Sequence, residues 1–296
     1  MAGTRPGRHY LAVAAIFRDE ARYLAEWIAF HRSVGVEHFF LYDNSSRDGS
    51  AGVLGRWLAE GVVTVTGWDV PYRPRGQGSA YAHCLGTFGH RARWLAFIDI
   101  DEFLFSPERE GLAAVLADYE GHPGVVVNWQ VYGSSGLDGR PDGLVTESFV
   151  TRARTQWVRN RRVKSIVDPA RTLRPVGPHF FEYRAGASAV TENHEPVRVV
   201  DVGRWKRRLR RLAGGAPFLP VDPYPTRESS VTRVSVDRLR INHYITKSRE
   251  EFEAKFKGRP LTDRERRSHF FYHDRNEVYD PVLRARAPAL RACLES

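Results

Sequence analysis

Two aspartates one residue apart, Asp99 and Asp101, sit in the apolar run R-W-L-A-F-I-D-I-D-E-F-L-F from Arg93 to Phe105. In an extended chain side chains alternate between faces, so the two carboxylates point the same way while Ile98, Ile100 and Phe103 are free to pack. Like charges held a few ångströms apart are costly unless a cation joins them. Paired oxygen ligands together with substrate phosphates are the usual holders of Mg²⁺ or Mn²⁺. A bare D-x-D occurs by chance roughly once in a chain of this size at ordinary composition. Its place at the C-terminal end of an apolar strand, where open α/β sheets bind their ligands, favours a metal bridging the chain to a phosphorylated substrate over a solvated strand end.

The elements that must position this pair can be read in order along the 296 residues, enough for one large α/β domain or two modest ones. Tyr10 to Phe17 reads as a first strand, and Glu20 to Ser33 carries Tyr23, Leu24, Trp27, Ile28 and His31 at helical spacing. V-E-H-F-F-L-Y is a second strand and D-N-S-S-R-D-G a turn headed by Asp43. Val53 to Glu60 is a helix and G-V-V-T-V-T-G-W a third strand. This alternation predicts an open, mostly parallel, doubly wound sheet. Ser79 to Arg91 reads as the helix leading into the aspartate strand, S-P-E-R-E as the capped start of another that ends near Gly121, and Val125 to Tyr132 as a strand running into the flexible G-S-S-G. Ile241 and Tyr244 mark a short strand, Ser248 and Glu251 a capping box, and Pro281 to Leu294 a surface helix.

Charge divides the chain. Residues 1–150 hold 13 Lys/Arg against 18 Asp/Glu, and residues 151–296 hold 32 against 17, within a net +10. A basic half beside an acidic pair suits a polyanionic ligand such as a nucleotide diphosphate. R-W-K-R-R-L-R-R at Arg204 to Arg211 is a solvated basic helix face or a contact with an anionic membrane surface, and 214–230 reads as a loop or lid. The arginine clusters hold too few aromatics for a nucleic-acid stacking platform, so no nucleic acid is expected. G-Q-G at 76–78 is no dinucleotide fingerprint, since no strand precedes it directly. Cys84 and Cys293 offer neither metal spacing nor a disulfide framework, and no run is long and apolar enough to span a bilayer, which together predict a cytoplasmic protein.

Taken together, F-R-D-E-A-R-Y-L-A-E-W-I-A-F-H, Y-D-N-S-S-R-D-G, W-L-A-F-I-D-I-D-E-F-L, V-N-W-Q-V-Y-G-S-S-G and I-N-H-Y-I-T-K-S-R-E-E-F-E-A-K resemble the GT-A glycosyltransferases, and within them glycosyltransferase family 92. Tyr132 stands where phenylalanine is commoner. The resemblance covers roughly residues 10–260 and implies an inverting transferase using a nucleotide sugar, often UDP-galactose, with Mn²⁺ or Mg²⁺, acting on a glycan or other hydroxyl acceptor. It implies metal ligation by Asp101, Asp99 and His243, and nucleotide-sugar contacts from Arg18, Asp43, Asp99, Lys164 and Lys247. Asp43 as a turn cap, His243 as a packed core histidine and the lysines as solvated charges are the structural alternatives. Inversion needs one general base. Glu147 in G-L-V-T-E-S-F is the expected base, with Asp142 as competitor and His179 and His194 as weaker candidates for acceptor contacts. The implied organisation is a flexible 1–9, a glycosyltransferase domain over 10–280 (a nucleotide-binding half 10–105 and an acceptor-side half 106–280 with a basic insert 151–230), and a C-terminal helix over 281–296. A non-catalytic binder of polyanions or membranes on the same scaffold is the alternative, and nucleotidyl transfer is disfavoured by the lack of a glycine-rich loop after the first strand.

Overall fold

The computed structural model describes residues 9–71, 76–197, 231, 233–256 and 262–295. The basic segment at 204–211, the loop at 214–230 and nearly all of the N-terminal 1–9 lie outside them. Strand β1 (His9–Phe17) is buried without alternation from Leu11 onward. That pattern belongs to a strand covered on both faces. Leu11, Val13, Ala15 and Phe17 pack with Trp27, Ile28 and Phe30 of helix α1 (Ala21–Ser33), whereas Ala12, Ala14 and Ile16 pack with Tyr81 and Cys84 of α3 (Gln77–Phe88). One strand therefore seeds two cores.

Strand β2 (His38–Asp43), helix α2 (Ser50–Ala59), strand β3 (Val63–Gly67), α3 and strand β4 (Ala92–Phe97) complete the first half. Strands β1 to β4 pair in parallel, with Phe17 opposite Asp43 and Asp43 opposite Gly67. Beyond them come β5 (Glu102–Phe105), α4 (Leu112–Leu116), β6 (Gly124–Val131), α5 (Val145–Ser148), β7 (Thr151–Arg152), β8 (Val163–Val167), β9 (Thr172–Pro175), β10 (Phe181–Tyr183), β11 (Arg240–His243), α6 (Arg249–Phe256), α7 (Asp263–His273), β12 (Val278–Tyr279) and α8 (Ala287–Glu295). Among the described residues the main sheet has eight strands in the order β3-β2-β1-β4-β8-β6-β11-β5. Strands β6 and β11 are parallel, while β8 and β5 run against their neighbours. Because β5 and β8 are reversed, they begin at the edge where β1, β2, β4, β6 and β11 end. Their first residues join the others' last ones there.

Three expectations change. The run from Arg93 to Phe105 is not one strand but two, with Asp99 and Asp101 in the turn between β4 and β5. Glu102 N donates to Asp99 O at 3.1 Å and closes that turn. S-P-E-R-E starts no helix: Ser106 Oγ accepts from the backbone N–H of Glu108 and Arg109, a local turn that competes with helix, and α4 begins only at Leu112. The C-terminal helix is shorter than 281–294 and one face is not surface, since Ala287 and Leu290 are buried.

Candidate functional site

Asp99 lies just past the C-terminal end of β4. Its Oδ2 is 2.8 Å from Lys164 Nζ, and its Oδ1 accepts from Gln77 Nε2 at 2.7 Å and from the Tyr81 hydroxyl at 3.3 Å. Lys164 is the second residue of reversed strand β8, so its side chain is buried at the edge where β4 ends. Asp101 meets a different set. Lys255 Nζ sits on its Oδ2, and His243 Nε2 is 3.5 Å from its Oδ1. The expected shared face becomes two separate ion pairs, because a turn rotates side chains out of the strand's alternation.

Local structure explains how His243 and Lys255 arrive. His243 closes β11 opposite Glu102, and the next backbone N–H, Tyr244, donates to Asp101 O at 2.8 Å. Trp129 packs its ring 4.3 Å from the imidazole. After Lys247, which adopts φ 51°, Ser248 and Glu251 form the capping box that starts α6: Ser248 N and Oγ donate to Glu251 Oε2, and Glu251 N donates back to Ser248 Oγ. Lys255 stands in the last turn of that helix.

Burial would raise the Asp101 carboxyl, but Lys255 and His243 more than offset it and hold the group well below the usual carboxylate range. Burial lowers the His243 pKa despite Asp101. Glu102, buried at the same turn, is pushed well above the ordinary value by burial, with Asp99 and Asp101 adding to it and Lys164 opposing. Lys247 is lowered by burial, then by Lys255, against Glu20 and Asp101; its ammonium rests 4.0 Å from the Tyr23 ring centroid.

The structure thus brings Asp99, Asp101, Lys164, His243 and Lys247 to one sheet edge. Asp43 ends β2 at that same edge, and its Oδ1 accepts from Ser46 N at 2.8 Å, so it does cap its turn. Arg18 is solvent-facing, 3.7 Å from Asp19 Oδ2. The Glu147 carboxylate is paired with Arg291 of α8. Buried Glu26 positions the short helix that carries it, accepting from Val145 N, Thr146 N and Thr146 Oγ1. Asp142 is exposed nearby in sequence. His179 is half-buried, its Nδ1 facing Val163 O at 3.0 Å, and His194 faces His122 at 3.1 Å. Sequence reasoning missed Lys255, Gln77, Tyr81 and Glu20, whose carboxyl is raised by burial and opposed by Lys247 and Lys255. The E-E-F-E-A-K spacing from a capping box was the one signal for Lys255.

Among the described residues no group of three or more His, Cys, Asp and Glu side chains surrounds a common point. A two-donor set is present. The Asp101 carboxyl is held well below the usual carboxylate range and the His243 pKa is lowered, both shifts toward the unprotonated forms a divalent cation requires of its ligands, and His243 Nε2 faces Asp101 Oδ1 at 3.5 Å. The residues fit a cation that takes its remaining ligands from a substrate.

Fold and site together define an α/β protein whose charged side chains collect at the carboxyl edge of a mixed sheet. Residues 8–198 match the family described as Glycosyltransferase family 92. A glycosyltransferase family 92 protein of Oryza sativa subsp. japonica is 34% identical over 164 residues, covering 54% of this chain and 27% of that protein. Galactan beta-1,4-galactosyltransferase GALS2 of Arabidopsis thaliana is 32% identical over 108 residues, covering 33% and 20%. Among solved structures, the mannosyltransferase PcManGT of Pyrobaculum calidifontis in complex with GDP-Man and Mn²⁺ aligns at 14% identity with a TM-score of 0.36, over 97% of this chain and 69% of that one. The chain belongs to glycosyltransferase family 92. The aligned stretch spans 27% of the length of the rice relative.

Proposed function

We propose that this chain transfers a sugar from a nucleotide-sugar donor, a UDP-sugar such as UDP-galactose, to a hydroxyl acceptor on a glycan, with inversion and with a divalent cation. The observation that carries the reading is the meeting of Asp101 and His243 beside Lys164, Lys247 and Lys255 at the carboxyl edge of the sheet, within a family 92 chain. In this role Asp101 and His243 hold the cation. Mn²⁺ or Mg²⁺ bound there would neutralise charge on the departing diphosphate. In this reading Lys164 and Lys247 supply compact ammonium charges to the diphosphate oxygens, and Asp43, Asp99 and Arg18 contact the nucleoside. A galactose donor is supported by the name of the Arabidopsis relative.

Inversion is a single in-line displacement, so one base takes the proton of the acceptor hydroxyl opposite the leaving nucleotide. Glu147 is the proposed base. Its pairing with Arg291 requires that the acceptor's arrival free the carboxylate. The deciding experiment is donor hydrolysis and transfer with a panel of UDP-, GDP- and CDP-sugars, with and without Mn²⁺. Asp101→Asn is expected to lower turnover by about 100-fold or more. Full activity in that variant overturns the reading.

A further inference from the structure

The inference rests on the metal reading proposed above and concerns a residue to which that reading gives no task. Lys255 lies against one oxygen of Asp101, and His243 Nε2 faces the other oxygen at 3.5 Å. The Asp101 side chain is only 8% exposed and that of Lys255 29%. The carboxylate that would hold a divalent cation therefore already holds a monovalent one. Asp99 on the same turn is likewise paired, with Lys164.

Two cations on a single buried carboxylate repel each other in a medium of low dielectric, and the site accepts both only when more anion enters. A nucleoside diphosphate brings that anion and offers the ammonium a new partner. The Lys255 stem is flexible while its helix is anchored by the Ser248–Glu251 capping box, so the side chain can swing without moving α6. We propose that Lys255 is a resident counter-ion that keeps the divalent cation off Asp101 until a nucleoside diphosphate arrives, and then transfers its charge to the diphosphate. Metal and nucleotide accordingly enter together rather than metal first, and Lys255 is a positioning residue for both.

The test measures binding of Mn²⁺ alone to the full chain by electron paramagnetic resonance and titration calorimetry, then repeats it with saturating UDP. The wild type is expected to bind Mn²⁺ weakly alone and far more tightly with UDP. Lys255→Met and Lys255→Gln are expected to bind Mn²⁺ alone about tenfold or more tightly than wild type, with a smaller gain from UDP, since coupling between two ligands is reciprocal. Lys255→Arg, which keeps the charge, is expected to follow the wild type, and melting curves show whether each variant is folded. Unchanged Mn²⁺ affinity in both neutral variants, with Asp101→Asn abolishing binding, overturns the counter-ion role and leaves the metal site standing. Mn²⁺ binding that survives Asp101→Asn in the Lys255→Met background places the metal elsewhere and overturns both.

Discussion

At the scale of single residues the site is a set of charges whose protonation states follow from their surroundings. Asp101 stays ionised because Lys255 and His243 offset its burial, while Glu102, at the next position, is pushed up because burial and two neighbouring aspartates outweigh Lys164. The general-base assignment is testable at Glu147. Glu147→Gln is expected to lower kcat for transfer by about 100-fold or more while leaving UDP binding intact, as loss of a general base does. Glu20 faces Lys247 and Lys255, so Glu20→Gln is expected instead to alter UDP and Mn²⁺ affinity more than kcat. Unimpaired transfer in Glu147→Gln, measured beside a matched UDP titration, would remove it as the base and leave Asp142, its competitor. The D-x-D pair, His243 and both predicted lysines were legible as residue types. Their pairing was not, because nothing local in W-L-A-F-I-D-I-D-E-F-L says that the strand turns after Phe97.

At the scale of elements, two features hold the site. The first is the closed turn between β4 and β5, whose backbone is tied to β11 through Tyr244 N and Asp101 O. The second is α6. Its S-x-x-E box could be read directly, because a capping box satisfies the first helical N–H groups with residues three apart and needs no tertiary partner. Ser248→Ala removes the box from a buried position and is expected to cost about 1 kcal/mol of stability. Because the same helix carries Lys255, the variant should also loosen the counter-ion contact. Chemical denaturation checks the first effect, and an unchanged midpoint would show that α6 is held by its packing alone. The misread helix at S-P-E-R-E has the opposite lesson: Ser106 bonds to the same kind of N–H groups but closes a turn, an outcome that the five residues do not distinguish from a cap.

At the scale of the molecule, buried neutral histidines couple the fold to pH. His31 is enclosed between α1 and β5, its Nδ1 facing Trp27 O at 2.8 Å and its Nε2 accepting from Leu104 N at 3.1 Å. Burial lowers its pKa to about 3, and burial likewise lowers His273 to about 3. Both therefore bind protons more readily unfolded than folded. The stability they permit is whole above pH ~6.5 and falls as pH drops from there toward about 3, at about 1.4 kcal/mol per pH unit for each. Denaturation midpoints between pH 7 and 5 should decline before most carboxylates titrate, and His31→Asn should flatten the slope while lowering stability throughout. A level profile over that range would show that these rings are not held neutral. Among the described residues no helix is long and apolar enough to cross a membrane.

The amino-acid order by itself determined the parallel half, because β1, α1, β2, α2 and β3 each announce themselves through short-range periodicity, and their alternation leaves few ways to pair. It also determined which residue types could take part in chemistry. Only the tertiary structure decided which of them meet. Asp99 and Lys164, Asp101 and Lys255, and Asp101 and His243 are brought together because β5 and β8 run backwards and start where β4 and β11 end. Strand direction in a mixed sheet is set by pairing across the whole fold, so a local reading of the chain contains no record of it.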